Sequence, residues 1–303
     1  MKKFIKIFVS LAIIIFIFRF VETVEVSKTL QLLSAGPLCL MIGIYFISQI
    51  ISAYKWYLIN QEFGLKSGFK LATSAYLTGM FVNSYGLGIV GGDLTRALLI
   101  APESKKMKAL ASVFVDRLHG MLILGLIGCL GYFAWSNHFN ATIQYAILPL
   151  LVAFPIISIL WFFFAKFILF FIPKKFNLNV KLGQAINYFQ GRKKHLLIIS
   201  ATSAAMHLIQ IFLLYLVGVF IGAEIPFHTL LVVIPFVNII TSLPFSWNGL
   251  GVREAAFIFF LSDYIHTEQA VSLGLVWLVT VTINSLIGGL FWLLNKPKIV
   301  AAV

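Results

Sequence analysis

Asn83-Ser-Tyr-Gly-Leu-Gly-Ile-Val-Gly-Gly-Asp-Leu-Thr-Arg96 decides how this chain is folded. It holds four glycines, an acid and a base, and it sits between long apolar runs. A second stretch, Trp247-Asn-Gly-Leu-Gly-Val-Arg-Glu254, has the same character. Broken, polar backbone at bilayer depth is tolerated only where protein or a water-lined cavity satisfies it. The two stretches are therefore the parts that need a function, and the apolar runs are their scaffold.

The composition fixes the class. Of 303 residues, 60% are hydrophobic and 11% charged, against about 25% charged in soluble domains. The apolar runs are continuous, not alternating, which predicts an all-α polytopic membrane protein and excludes a β-barrel. The whole chain, 1–303, is one transmembrane domain, because the longest stretch between spans, 173–195, is too short to bury a core of its own. The net charge of +13 does not mark a nucleic-acid binder, since the excess lies in short connections. Cys39 and Cys129 lie in apolar runs and are expected to be buried small hydrophobes. The basic start, Met1-Lys-Lys-Phe-Ile-Lys6, precedes an apolar run without a small-x-small cleavage site, which predicts a retained first span.

Six runs are long enough to cross: 4–20, 37–59, 109–134, 143–172, 195–221 and 271–294. Bases cluster before the first span, at Lys66 and Lys70, at Lys105, Lys106 and Lys108, across 174–194, and at Lys296 and Lys298. The connections 21–36, 135–142, 222–226 and 264–270 hold one lysine, Lys28, and the acids Glu22, Glu25, Glu224 and Glu268. The positive-inside rule makes the basic group cytoplasmic and puts both termini inside. The expected location is the cell membrane, with several passes. The basic segment 174–194 is expected on the inner leaflet, where it would attract anionic lipid. Asn140-Ala-Thr142 is a sequon in an outer loop.

Parity then constrains the broken regions. Positions 66–70 and 105–108 are both basic, so the segment between them enters from the cytoplasm and returns to it. A crossing pair would need about 40 residues, and the arm after Gly92 is too short to cross. We expect a re-entrant hairpin turning at 83–92, with a return arm from Asp93 to Ala101. Residues 226–263 form a second hairpin from the outer side. Pro235 and Pro244 interrupt its first arm, and Gly251 to Leu261 return. The segments 37–134 and 195–294 are then inverted repeats, the pattern of secondary transporters with a midplane site. Tyr85-Gly-Leu-Gly88 and Asn248-Gly-Leu-Gly251, each followed by an arginine, echo one another.

Six ionisable residues lie at depth: Asp93, Arg96, Asp116, Arg117, Arg253 and Glu254. Lys55 is set apart as an interfacial residue that snorkels. A charge at the bilayer centre costs at least ~2.5–3.5 kcal/mol, so these six must be paired or must face water. Asp93 and Arg96 are three apart and can share a helix face. Asp116–Arg117 and Arg253–Glu254 point apart and need partners on other helices. The 109–134 span is expected to cross-link to the second half through them, with the acid–base pairing open.

One use of the six is as glue. The other is an anion centre: each return arm begins with glycines, offering free N–H groups and a positive helix end. Arg96, Arg253 and Arg117 would bind the anion, and the planar guanidinium suits phosphate. Asp93, Asp116 and Glu254 would hold those arginines. Asn83 and Asn248 would either line the site or satisfy freed backbone. Gly88, Gly91, Gly92, Gly249 and Gly251 serve the hairpin turns, tight packing, or both. His119 and His207 are expected to be hydrogen-bonded packing residues, with His119 the better relay candidate. No metal-ligand spacing and no nucleophile–base constellation is present, and no cofactor is expected.

Four motifs carry a resemblance: Lys55-Trp56; Asn83 with Gly91-Gly-Asp-Leu-Thr-Arg96; Val115-Asp-Arg-Leu-His-Gly120; and Gly249-Leu-Gly-Val-Arg-Glu254. Together they resemble the transmembrane domain of lysylphosphatidylglycerol synthase/flippase proteins and the stand-alone flippase-like proteins related to it. The resemblance implies an eight-segment membrane domain that handles lipids with phosphate headgroups, including polyprenyl-phosphate glycolipids. In the synthases a soluble aminoacyl-transferase domain follows; this chain ends at Val303, so that activity is expected to be absent. The expected function is a lipid flippase or transporter whose partners are membrane lipids. The alternatives are a non-transporting subunit that presents lipid to a lipid-modifying or glycosyl transferase, and a small organic-anion transporter.

Overall fold

The computed structural model describes residues 23–85, 88–170, 192–242, 246 and 249–295. Those residues form ten α-helices and no strand: α1 Thr23–Gln31, α2 Ala35–Glu62, α3 Phe69–Tyr85, α4 Gly88–Ile100, α5 Lys106–Trp135, α6 Ala141–Phe170, α7 Lys193–Phe220, α8 Phe227–Ser242, α9 Val252–Leu261 and α10 Thr267–Asn295. Five stretches are long and apolar enough to cross a membrane: Ala35–Glu62, Lys106–His138, Ile143–Trp161, Lys193–Phe220 and Thr267–Leu293. They match five of the six expected spans. The sixth, 4–20, lies outside the described residues, as do most of 174–194, Pro244 and Asn248.

Length separates these helices from the rest. The 28 residues of α2 reach about 42 Å, well beyond a hydrocarbon core of about 30 Å. The 13 residues of α4 reach about 20 Å and the 10 of α9 about 15 Å, both short of that thickness. Each short helix follows a partner of intermediate length, α3 with 17 residues and α8 with 16.

The connection 21–36 contains a helix, α1, because Val26 and Leu30 recur one turn apart and pack with Val271, Ile258 and Leu275. Two expectations need correction. Pro235 does not interrupt α8 but lies inside it. Gly128 of α5 supplies the space, since a Cβ there would stand 3.0 Å from the Pro235 ring. Cys39 is exposed rather than buried, while Cys129 is buried; both are free thiols.

The described residues fall into two compact units. One draws on Met1–Ser48, Ile127–Leu148 and His207–Asn284, the other on Gln49–Leu126, Pro149–Met206 and Ser285–Val303. The helix pair α8/α9 belongs to the first unit and α3/α4 to the second. Each unit takes residues from both 37–134 and 195–294, so the units are a different division of the chain from the expected repeats.

Candidate functional site

The α3/α4 pair is closed by a turn shorter than expected. Helix α3 runs on through Asn83 to Tyr85 and α4 begins at Gly88, so the arm starts five residues before Asp93. Gly88 opens α4 at φ +72°, a left-handed conformation that costs a side-chain-bearing residue about 1–2 kcal/mol. One turn on, Gly92 presses on α3. A Cβ there would run into the Gly79 carbonyl oxygen and stand 2.9 Å from the Asn83 Cβ. Glycine therefore serves both expected purposes: Gly88 makes the turn, and buried Gly92 permits close approach, with Gly91 buried beside it. The Asn83 amide oxygen is buried near this crossing with no hydrogen-bond partner among the described residues.

That close approach sets Arg96 on the face of α3. Its guanidinium lies 4.9 Å from the Trp56 ring and 5.2 Å from the Tyr76 ring, both within cation–π range. Arg96 Nη1 donates to Asp116 Oδ2 at 2.9 Å and Nε to Asp93 Oδ1 at 3.2 Å. The other Asp116 oxygen faces Lys55 Nζ at 2.9 Å. Lys55 also donates to the Asp116 backbone carbonyl at 3.1 Å. At the far end, Arg117 Nε pairs with Asp93 Oδ2.

The five groups make one row of alternating sign: Lys55, Asp116, Arg96, Asp93, Arg117. Exposure rises along it. The Lys55, Asp116 and Arg96 side chains are 3%, 6% and 5% exposed, Asp93 19% and Arg117 41%. Three cations against two carboxylates leave one positive charge, and the accessible end is Arg117.

Two expectations change here. Lys55 does not snorkel: α2 continues to Glu62, about two turns further, and Lys55 is buried against Asp116. Asp116 and Arg117 do not reach into the second half, because Lys55, Arg96 and Asp93 all lie in the first. Trp56 and Tyr76, which flank Arg96, were not among the expected site residues. The only sequence signal for Lys55 and Trp56 is their place in the resemblance motif.

His119, one turn along α5, is fully buried. Its Nδ1 takes the Trp161 indole N–H at 3.2 Å, and Nε2 stands 3.2 Å from Ser200 Oγ. Indole nitrogen only donates, so Nδ1 must be the acceptor and the ring neutral with its proton on Nε2. The Ser200 hydroxyl in turn donates a hydrogen bond to the Leu196 carbonyl at 2.8 Å. His119 is thus a buried, hydrogen-bonded packing residue, joined to Trp161 and Ser200.

The second helix pair is built differently. Gly251, at φ +82°, precedes α9, whose first turn carries Arg253 and Glu254. The Glu254 carboxylate turns back and accepts the Gly251 N–H at 2.6 Å. Its other oxygen lies against bare backbone, since a Cβ on Gly274 of α10 would stand 2.6 Å from it. Thus the Gly251 N–H expected to be free is occupied by the helix's own Glu254. Arg253 Nη2 approaches Thr241 Oγ1 at 3.5 Å, and its guanidinium lies 5.7 Å from the Trp277 ring. Among the described residues, no group of three or more His, Cys, Asp or Glu could hold a metal ion.

Five long apolar helices with paired charges buried beside them define a multi-pass helical membrane protein. The family model for the lysylphosphatidylglycerol synthase TM region matches residues 3–289, and the chain belongs to that family. No curated protein matches the chain.

Proposed function

We propose that this protein is a membrane lipid transporter of the flippase kind. In this reading it handles lipids with an anionic phosphate headgroup, of the phospholipid or polyprenyl-phosphate class. The observation that carries the proposal is the charge row beside α3/α4, which has one positive charge in excess and its accessible end at Arg117. Arginine can grip a phosphate through two parallel N–H bonds. Arg117, with Arg96 behind it, takes the headgroup phosphate at the first helix pair, and Arg253 does so at the second. Asp93, Asp116 and Glu254 hold the bases, and Asn83 and Asn248 add polar lining. The family's name supports the lipid class, because lysylphosphatidylglycerol carries a headgroup phosphate.

The short helices support the access route. Neither α4 nor α9 is long enough to cross, so each pair is proposed to be re-entrant. The first enters from the basic, cytoplasmic side and the second from the outer side of the cell membrane. The role is transport, and no catalytic step is assigned to the chain.

Reconstitution into liposomes tests this. The wild-type protein is expected to move a fluorescent phosphatidylglycerol or polyprenyl-phosphate lipid between leaflets. Arg117→Ala and Arg253→Ala should each slow the movement at least about tenfold, the scale of one charge-assisted contact, while eluting as folded protein. Variants that move lipid at the wild-type rate would refute the arginine site. Wild-type protein that retains lipid without moving it would point instead to a subunit that presents lipid to a separate transferase.

A further inference from the structure

The charge row holds a feature that anion binding alone does not require. Asp93 uses one oxygen on Arg96 and the other on Arg117. Its two partners differ in kind. Arg96 is buried, flanked by Trp56 and Tyr76, and bound a second time by Asp116. Arg117 is 41% exposed, and among the described residues its one ion pair is through Nε. A guanidinium has five N–H donors, so four remain on Arg117 for another acceptor.

We propose that Asp93 is a built-in competitor for the ligand anion, a tethered carboxylate occupying Arg117 where a phosphate oxygen would bind. This rests on the function proposed above and adds the regulation of that site. When a phosphate arrives, the Arg117–Asp93 contact opens. Asp93 does not become a lone charge at depth, because Arg96 still holds its other oxygen. Arg96 does not move, because Asp116 and the two rings hold it. Exchange at Arg117 therefore leaves no buried carboxylate without a partner, and this lets the ligand leave again as readily as it binds. The second helix pair repeats the device with other atoms. There the α9 N-terminus is anion-attracting, and Glu254 occupies its Gly251 N–H.

The test uses the full chain in detergent micelles, incubated with mixed vesicles of phosphatidylglycerol and phosphatidylcholine and then separated from them. Retained lipid is counted by native mass spectrometry. Wild type should retain phosphatidylglycerol over phosphatidylcholine. Asp93→Asn removes the competitor and should raise phosphatidylglycerol retention about fivefold, the scale of a partly exposed ion pair. Arg117→Ala should lower phosphatidylglycerol retention about fivefold or more, leaving only the share held at Arg253. Arg117→Lys keeps the charge without the fork, leaves Asp93 intact and should keep only part of the preference, whether or not Asp93→Asn folds.

An inorganic phosphate arm identifies the source of the anion. Displacement of phosphatidylglycerol by millimolar phosphate supports a site for the phosphate group itself, and persistence supports a site for the whole lipid headgroup. Folded Asp93→Asn that retains no more than wild type would overturn the competitor while leaving the transporter proposal standing. Equal retention by Arg117→Ala, Arg117→Lys and wild type would overturn Arg117 as the contact. No preference in wild type or in Asp93→Asn would overturn both proposals together.

Discussion

Asp116 is the residue on which the charge row depends. Its side chain is nearly fully buried, and it separates two cations, Lys55 at 2.9 Å and Arg96 at 2.9 Å. Removing one partner of a buried ion pair costs about 3–5 kcal/mol, because the remaining charge stays desolvated. Asp116→Ala strands Lys55 without a carboxylate and leaves Arg96 with Asp93 alone. The expected outcome is a loss at the upper end of that range, measured as a fall in the thermal unfolding midpoint in detergent. Lys55→Met should be much milder, since Asp116 retains Arg96 and the methionine fills the same volume. Equal losses in the two variants would place the row's stability elsewhere. The four first-half charges at depth were legible in the sequence because a charge in a lipid-soluble run is expensive wherever it lies. The Asp93–Arg96 pair was legible from its spacing, but the partners of Asp116 and Arg117 were not, since Asp116 lies 20 positions from Arg96 and 61 from Lys55 and only the fold brings them together. Lys55 was misjudged for a related reason: snorkelling depends on where the helix ends, and α2 ends at Glu62.

At the scale of the element, the α3/α4 pair is held by backbone contact. Gly92 on α4 meets the Gly79 carbonyl oxygen on α3, with no side chain between them. Backbone cannot swing aside as a side chain can, so an added methyl must push the helices apart. That shift would carry Arg96, one turn along α4, away from Tyr76 and Asp116. Gly92→Ala is therefore expected to cost about 1–3 kcal/mol and to weaken retention of anionic lipid. Gly43→Ala provides the contrast, because a Cβ there would meet nothing within 4 Å. Its expected effect is neutral or slightly stabilising, as alanine favours helix over glycine. Thermal midpoints of the two variants check the pair, and similar losses would mean that the crossing is not the constraint. The glycines were visible in the sequence, but their division of labour was not. Turn and close-packing glycines have the same composition, and only the backbone angle at Gly88 and the neighbour at Gly92 distinguish them.

At the scale of the whole molecule, the proposed topology rests on two separate arguments, lysine counts and helix lengths. By the positive-inside rule the counts predict 66–70 and 105–108 on one side of the membrane. The lengths say that α4, at about 20 Å, cannot complete a return crossing of about 30 Å. If both hold, every span after α4 keeps the orientation that the charges assign to it. If α3 and α4 together crossed once, every later connection would change sides and the basic segment 174–194 would lie outside. Single cysteines placed on a Cys39→Ser/Cys129→Ser background decide between these. In intact cells treated with a membrane-impermeant thiol reagent, Lys66→Cys and Lys105→Cys should both be protected, and both should react once the cells are opened. Asn137→Cys, after α5, and Glu268→Cys, at the start of α10, should react without opening. Protection at position 66 with reaction at 105 would show α3/α4 to be a crossing. That result would remove the re-entrant route for a lipid headgroup while leaving the charge row, which depends only on contacts within one unit, as it stands.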